Sequence, residues 1–213
     1  MAKKCLIVYQ SNTGNTEKVA IRFKSTFEKN GWECDMAKIS RKTDLGTIPL
    51  IRNYDFLCVG SPVYGGLPPE EMRTFMDPDH SLVRTPSELQ GISLSAYMEM
   101  MKGPGKMKGE GKLKFKLQPF ERMRSGPKKG IVFATYFGAH FGPIEAEPAL
   151  KWLALSMKHI KFECIGSFCC PGKGPGMKEA TTKAYHGDCS NRPNEKDLLK
   201  AELFIEEVLE AIK

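Results

Sequence analysis

Ser11 to Thr16 is a run of six small polar residues, Ser-Asn-Thr-Gly-Asn-Thr, with no Lys or Arg among them. It joins the short apolar run that ends near Gln10 to a helical pattern that begins near Val19. A loop that follows a strand and opens a helix offers free backbone N–H groups and the positive end of the helix dipole, so it binds an anion without a charged side chain. Ser11, Thr13 and Thr16 add hydroxyl donors, and Gly14 permits a backbone turn that a Cβ would obstruct. A dianion can be held by such a nest of neutral donors, whereas an ordinary helix cap would need only one of the hydroxyls. The loop lacks the lysine of G-x-x-x-x-G-K-[ST] and the glycines of G-x-G-x-x-G, which sets aside nucleoside triphosphates and the dinucleotide fingerprint. A terminal monophosphate is left, and it points to a mononucleotide.

The elements that position this loop alternate strand and helix. "KCLIVYQ" (4–10), "WECDMAKI" (32–39), "YDFLCVGS" (54–61), "GIVFATYF" (130–137) and "KFECIGSFC" (161–169) read as five strands. Val19, Ala20, Phe23 and Phe27 recur at helix spacing until Asn30-Gly31. Pro68-Pro69-Glu70-Glu71 opens a second helix, with acids at its positive end. A third, over 146–158, presents Leu150, Leu153 and Met157 on one face; a capped helix from Asn194 buries Leu198, Ala201, Ile205, Val208 and Ile212. Parallel neighbours need crossover helices, so this order predicts an α/β fold with a doubly wound five-stranded parallel sheet and helices on both faces. Such sheets bind ligands beyond the carboxyl ends of their strands, which places a candidate site at loops 11–16, 61–67 and 138–143. A single domain over 1–213 is expected, with a Lys/Gly-rich insertion at about 77–128, before the fourth strand; 171–193 also exceeds what a crossover needs.

Composition narrows the class. The 213 residues are 41% hydrophobic and 27% charged, ordinary for a globular domain with a substantial core. No apolar run approaches the roughly 20 residues of a membrane-spanning helix, and the N-terminal apolar stretch is too short for a signal peptide, so no membrane span and a cytoplasmic location are expected. Seven Cys without a secretory signal fit a reducing compartment. Cys5, Cys34 and Cys58 lie in strands as small hydrophobes. Cys164, Cys169, Cys170 and Cys189 have no His at ligand spacing and no C-x-x-C among them, so no metal site is read there. The formal charge of +7 is concentrated: residues 102–129 hold ten Lys/Arg against Glu110 and Glu121, a formal +8 that leaves −1 for the remainder. Within it "KLKFKL" (112–117) alternates apolar and cationic residues as a half-buried strand would. Only Phe115 and Phe120 are aromatic in that strip, a poor platform for stacking single strands, and no nucleic acid is expected.

These residues resemble the flavodoxin family. Ile7, Val8, Tyr9, Ser11, Gly14, Thr16 and Ala20 meet every position of its phosphate-loop pattern. "GSPVYGGLPPE" (60–70) is similar to its second flavin loop, "TYFGAHFG" (135–142) more weakly to its third, and "RPNEKDLLKAELF" (192–204) to the start of its last helix. The resemblance covers roughly 130 residues and leaves out 77–128 and 171–191. It implies a flavodoxin-like sheet in the order 2-1-3-4-5 and FMN as cofactor. The phosphate would lie at Ser11, Asn12, Thr13, Gly14, Asn15 and Thr16. The isoalloxazine ring would lie between Ser61, Pro62, Val63, Tyr64, Gly65 and Gly66 on one side and Tyr136, Phe137, Gly138, His140, Phe141 and Gly142 on the other. Tyr64 offers a flat π-face, and Gly65 and Gly66 can turn a peptide toward a flavin nitrogen. His140 could donate to reduced flavin or serve as a solvated loop residue.

Three functions stay open at this point. The favoured one is electron transfer between protein redox partners, with FMN doing the chemistry and no catalytic acid, nucleophile or metal required. The alternative is an NAD(P)H-dependent quinone or flavin reductase, with His140 protonating a quinone. The third is a docking module whose flavin is vestigial and whose basic segment binds nucleic acid or anionic lipid. An acidic ferredoxin is the partner the charge suits, and a homodimer is left open.

Overall fold

Six consecutive residues, Cys5 to Gln10, are buried in β1 (Lys4–Gln10), and all seven of β3 (Phe56–Pro62) are buried as well. Strands covered on both faces need such continuous apolar runs, which marks these two as central. β2 (Glu33–Ile39) and β5 (Phe162–Pro171) mix exposed and buried positions, as edge strands do. In the computed structural model, which describes residues 2–43, 47–76, 128–137, 141–174, 183–184 and 187–213, they form one parallel sheet in the order β2-β1-β3-β4-β5. β4 is Lys128–Tyr136. The register aligns Cys5 with Cys34 and Phe56, and Pro62 with Thr135. The flavodoxin-like order and the helix-flanked sheet are as expected.

α1 (Asn15–Lys29) and α4 (Glu195–Ala211) cover one face, α2 (Glu70–Met76) and α3 (Glu147–His159) the other. On the first face Cys5, Ile7, Tyr9, Ile131 and Phe133 meet Val19, Phe23, Phe27, Ala201 and Ile205. Phe23 packs edge-on against Phe133, with ring centroids 4.9 Å apart, and also reaches Phe168 and Phe204. A Cβ on Gly60 would fall 2.0 Å from the Phe133 ring, so that ring can cross β3 only where a side chain is missing. Arg22 pairs with Glu195 and Glu202 at 2.9 Å each. Exposed pairs contribute at most about 1 kcal/mol, against about 1.5–3 kcal/mol for a buried Phe. The aromatic layer holds these helices in place.

Several boundaries differ from the sequence reading. Lys128 and Lys129 belong to β4, not to a basic excursion, and Lys128 Nζ donates to the carbonyls of Arg52 and Tyr54, both at 2.7 Å. Lys128 is therefore structural, and both lysines sit at the sheet end opposite the candidate site. β5 runs on to Pro171 and carries an extra residue where Gly130 pairs with Cys164 but Ile131 with Gly166. A two-stranded antiparallel pair, β6 (Lys183–Ala184) and β7 (Gly187–Asp188), lies within 171–193. The "KLKFKL" strand and nearly all of the 77–128 insertion lie outside the described residues. No helix among the described residues is long and apolar enough to cross a membrane.

Candidate functional site

Three strand ends converge on the loop that opens α1. Gly14 takes φ +82° at the helix start, a left-handed conformation that glycine adopts without strain, and as the N-cap residue it supplies no side-chain cap. The N–H groups of Asn15 and Thr16 are at the first helical positions and have no intrahelical acceptor. Ser11 is 7% exposed, and its Oγ accepts from the Glu17 N–H at 3.3 Å, which leaves the Ser11 proton to donate elsewhere. Asn12 and Thr13 are exposed. Thr16 is buried, and its Oγ1 lies 2.8 Å from Thr135 Oγ1. Asn15 Nδ2 donates to the Lys173 carbonyl at 2.8 Å and ties the loop to the chain beyond β5.

Glu17, in the first turn, accepts from the Tyr9 hydroxyl at 2.7 Å and from Lys38 Nζ at 3.0 Å. The Tyr9 bond first, and Lys38 second, hold its carboxyl below the ordinary value, while burial and the same bond push the Tyr9 hydroxyl up. Gln10 continues β1 toward the site and is 2% exposed; its Nε2 donates to Glu71 at 3.0 Å, and its Oε1 has no partner among the described residues.

The second loop is a tight hairpin. The N–H of Tyr64 donates to the Leu67 carbonyl at 3.0 Å and that of Leu67 to the Tyr64 carbonyl at 3.1 Å. Gly65 and Gly66 sit between them at φ +57° and +83°, the pair of left-handed positions that a type I′ turn requires. Tyr64 is 43% exposed, and its hydroxyl accepts from Asn12 Nδ2 at 3.3 Å, so the first and second loops touch. Behind it Ser61 and Pro62 are buried, the Ser61 hydroxyl donates to the Pro62 carbonyl at 2.8 Å, and the Val63 N–H donates to the Thr135 carbonyl at 3.0 Å.

The third loop is only partly described; Gly138 and His140 lie outside the described residues. Tyr136 is 6% exposed and lines a cavity of about 250 Å³ with Gly142, Pro143, Cys170 and Arg192, so its ring is a wall and not an open face. Phe137 is half-buried. Phe141 is 71% exposed, and Gly142 starts a 3-10 turn, Gly142–Glu145, at φ +74°. Burial pushes the Cys169 and Cys170 thiols up; both are free, and among the described residues no group of three or more His, Cys, Asp or Glu could hold a metal.

Three participants escaped the sequence reading. Thr135 continues the inward-facing row Ile131, Phe133 on β4, and a hydroxyl at the end of an apolar row was the available signal. Lys173 and Arg192 come near Asn15 only through the fold; nothing in their local sequence marks them.

The chemistry of the donor set suits a phosphate ester: neutral hydroxyl and N–H donors at a helix start, with an exposed aromatic and a turn of two glycines beside them. The flavodoxin family model matches residues 7–122, more than half of the chain. Curated protein sequences give no match. Among solved structures, oxidised flavodoxin 2 from Bacillus cereus aligns over 98% of this chain and 99% of its own, with a TM-score of 0.56 and 19% identity. Flavodoxin from Streptococcus pneumonia TIGR4 aligns over 98% and 99%, at 0.54 and 17%. A flavodoxin from the domain Archaea aligns over 98% and 98%, at 0.53 and 14%. At these identities the structures speak for the fold alone.

Proposed function

We propose that this chain, which belongs to the flavodoxin family, is an FMN-dependent electron transfer protein that passes electrons between protein redox partners. The observation that carries the reading is the cation-free donor nest at the start of α1, tied to the end of β4 by the Thr16–Thr135 bond. When bound, FMN supplies redox chemistry that no side chain here could provide.

The chain's own residues bind and orient. Ser11, Thr13 and Thr16, with the N–H groups of Gly14, Asn15 and Thr16, hold the phosphate, and Asn12 steadies Tyr64. The Tyr64–Leu67 turn presents one aromatic face and two peptide units free of side chains. Phe137 and Phe141 bound the other side, with Ser61, Pro62 and Val63 forming the floor and Tyr136 and Gly142 the wall. Gly138 and His140 belong to the same proposal through their place in the chain. A carrier needs no proton-transfer residue.

The test is reductive titration of the FMN-loaded protein, followed by NAD(P)H with a quinone as acceptor. Two well-separated one-electron steps without pyridine-nucleotide turnover are expected. Rapid turnover with NAD(P)H would establish the reductase instead.

A further inference from the structure

The proposed phosphate loop has no cation, but the cavity beside it has three. This cavity encloses about 440 Å³, and Thr13, Asn15, Lys18, Lys173, Gly174 and Arg192 are among the residues that line it. Thr13 and Asn15 belong to loop and cavity alike, so the two are continuous. The walls are held together: Asn15 bonds to the Lys173 carbonyl at 2.8 Å, and the Lys173 N–H donates to the Arg192 carbonyl at 3.1 Å. A Cβ on Gly172 would come within 2.6 Å of Asn15 Nδ2, so glycine is what lets these segments approach. Asp197, 3% exposed, grips Arg192 through Nε and Nη2 and leaves Nη1 outside that fork.

The charge is unbalanced. Arg192 is paired with Asp197, but among the described residues no carboxylate lines the cavity and Lys18 and Lys173 make no ion pair. Like charges around one concavity focus a positive potential that an anion relieves. The volume falls within the roughly 300–1,000 Å³ of small-molecule sites, well beyond what one inorganic anion fills.

We propose that this cavity is a second phosphate subsite that takes the distal phosphate of a flavin dinucleotide, so that the chain accepts FAD as well as FMN. The proposal rests on the FMN reading above, because the first phosphate must occupy the Ser11–Thr16 loop. Lys18 and Lys173 are exposed, so replacing them leaves the fold intact.

The apoprotein and its Lys18→Gln/Lys173→Gln variant are titrated with FMN and with FAD, and binding is read from flavin fluorescence. FAD should bind the parent within about tenfold of FMN, and the variant should lose about tenfold more affinity for FAD than for FMN, the share of the charge-assisted contacts to the second phosphate. Added salt should weaken FAD more steeply than FMN. FMN binding without FAD binding, or equal losses for both flavins, would overturn this inference and leave the FMN reading standing. Failure of both flavins to bind the parent would overturn the FMN reading, and this inference with it.

Discussion

Thr16 has two partners to serve. Its sequence position assigns its hydroxyl to a phosphate, yet the hydroxyl is buried against Thr135 Oγ1 at 2.8 Å. Both roles are compatible because a hydroxyl donates once and accepts twice: with Thr135 as the donor between them, Thr16 keeps its own proton for a ligand. Replacing Thr16 by Val preserves shape and removes that relay. FMN affinity should fall by about 1.5–3 kcal/mol for a lost bond to a charged group, and stability by about 1–3 kcal/mol for leaving Thr135 buried without its partner. Thr135→Val should show the stability loss with a smaller effect on FMN. Calorimetric titration and urea midpoints separate the two; an unchanged FMN affinity in Thr16→Val would make the residue purely structural.

At the scale of elements, the start of α4 shows what sequence can and cannot convey. Asn194 was readable as a cap, and it accepts from the N–H groups of Lys196 and Asp197 while Asp197 accepts from the Asn194 N–H. The bidentate Arg192–Asp197 pair was not readable, because Arg192 precedes the helix and its side chain turns back onto it. Asp197→Asn removes the charge that Arg192 faces in a largely buried setting, and should cost about 3 kcal/mol, the lower end for breaking such a pair because Arg192 is partly exposed. The urea midpoint should drop with the slope unchanged. The same contrast runs through the strands. β1 is legible to the residue, since an unbroken apolar run between Lys4 and Gln10 has one packing solution. The extra residue at Ile165 in β5 is not, because "FECIGSF" alternates too loosely to reveal which face each side chain takes. The Tyr64–Leu67 turn could have been read from Gly65-Gly66 alone, but the contact of Asn12 with Tyr64 depends on two loops 52 residues apart.

The whole molecule responds to pH through three carboxylates. Glu202 lies below its ordinary value through Lys29 and then Arg22, and Glu17 through Tyr9 and then Lys38. Burial alone would raise Glu71, but hydrogen bonds from its own backbone, Gln10 and Arg41 bring it below as well. A carboxyl depressed by folding stabilises the native state above its unfolded value and loses that contribution as pH falls through the folded one. Stability from these groups should therefore hold from neutrality down to about 4.5 and decline below it, as thermal melts across pH 3–7 would show. Charge distribution governs encounter as well. With Lys128 and Lys129 built into the sheet, the cations that remain for docking lie at 102–124, and Lys112, Lys114 and Lys116 are their centre. Changing these three to Gln should slow electron transfer with an acidic ferredoxin and flatten its salt dependence, because a surface field reaches only about 8 Å at physiological ionic strength. Stopped-flow rates across a salt series test it; unchanged rates would leave these lysines as solubilising groups.

The Thr16–Thr135 bond also sets a clock. The residues of the first loop are synthesised early, but the hydroxyl that orders Thr16 lies 119 positions later, and Phe23 above it must await Phe133, Phe168 and Phe204. Contacts of such span are slow to form, since loop closure precedes any reward from packing. The loop should therefore remain unable to capture a ligand until the second half of the chain has docked, however complete its local sequence. On refolding from urea in the presence of FMN, quenching of flavin fluorescence should coincide with the last phase of secondary-structure recovery; early quenching would mean that the loop is competent on its own.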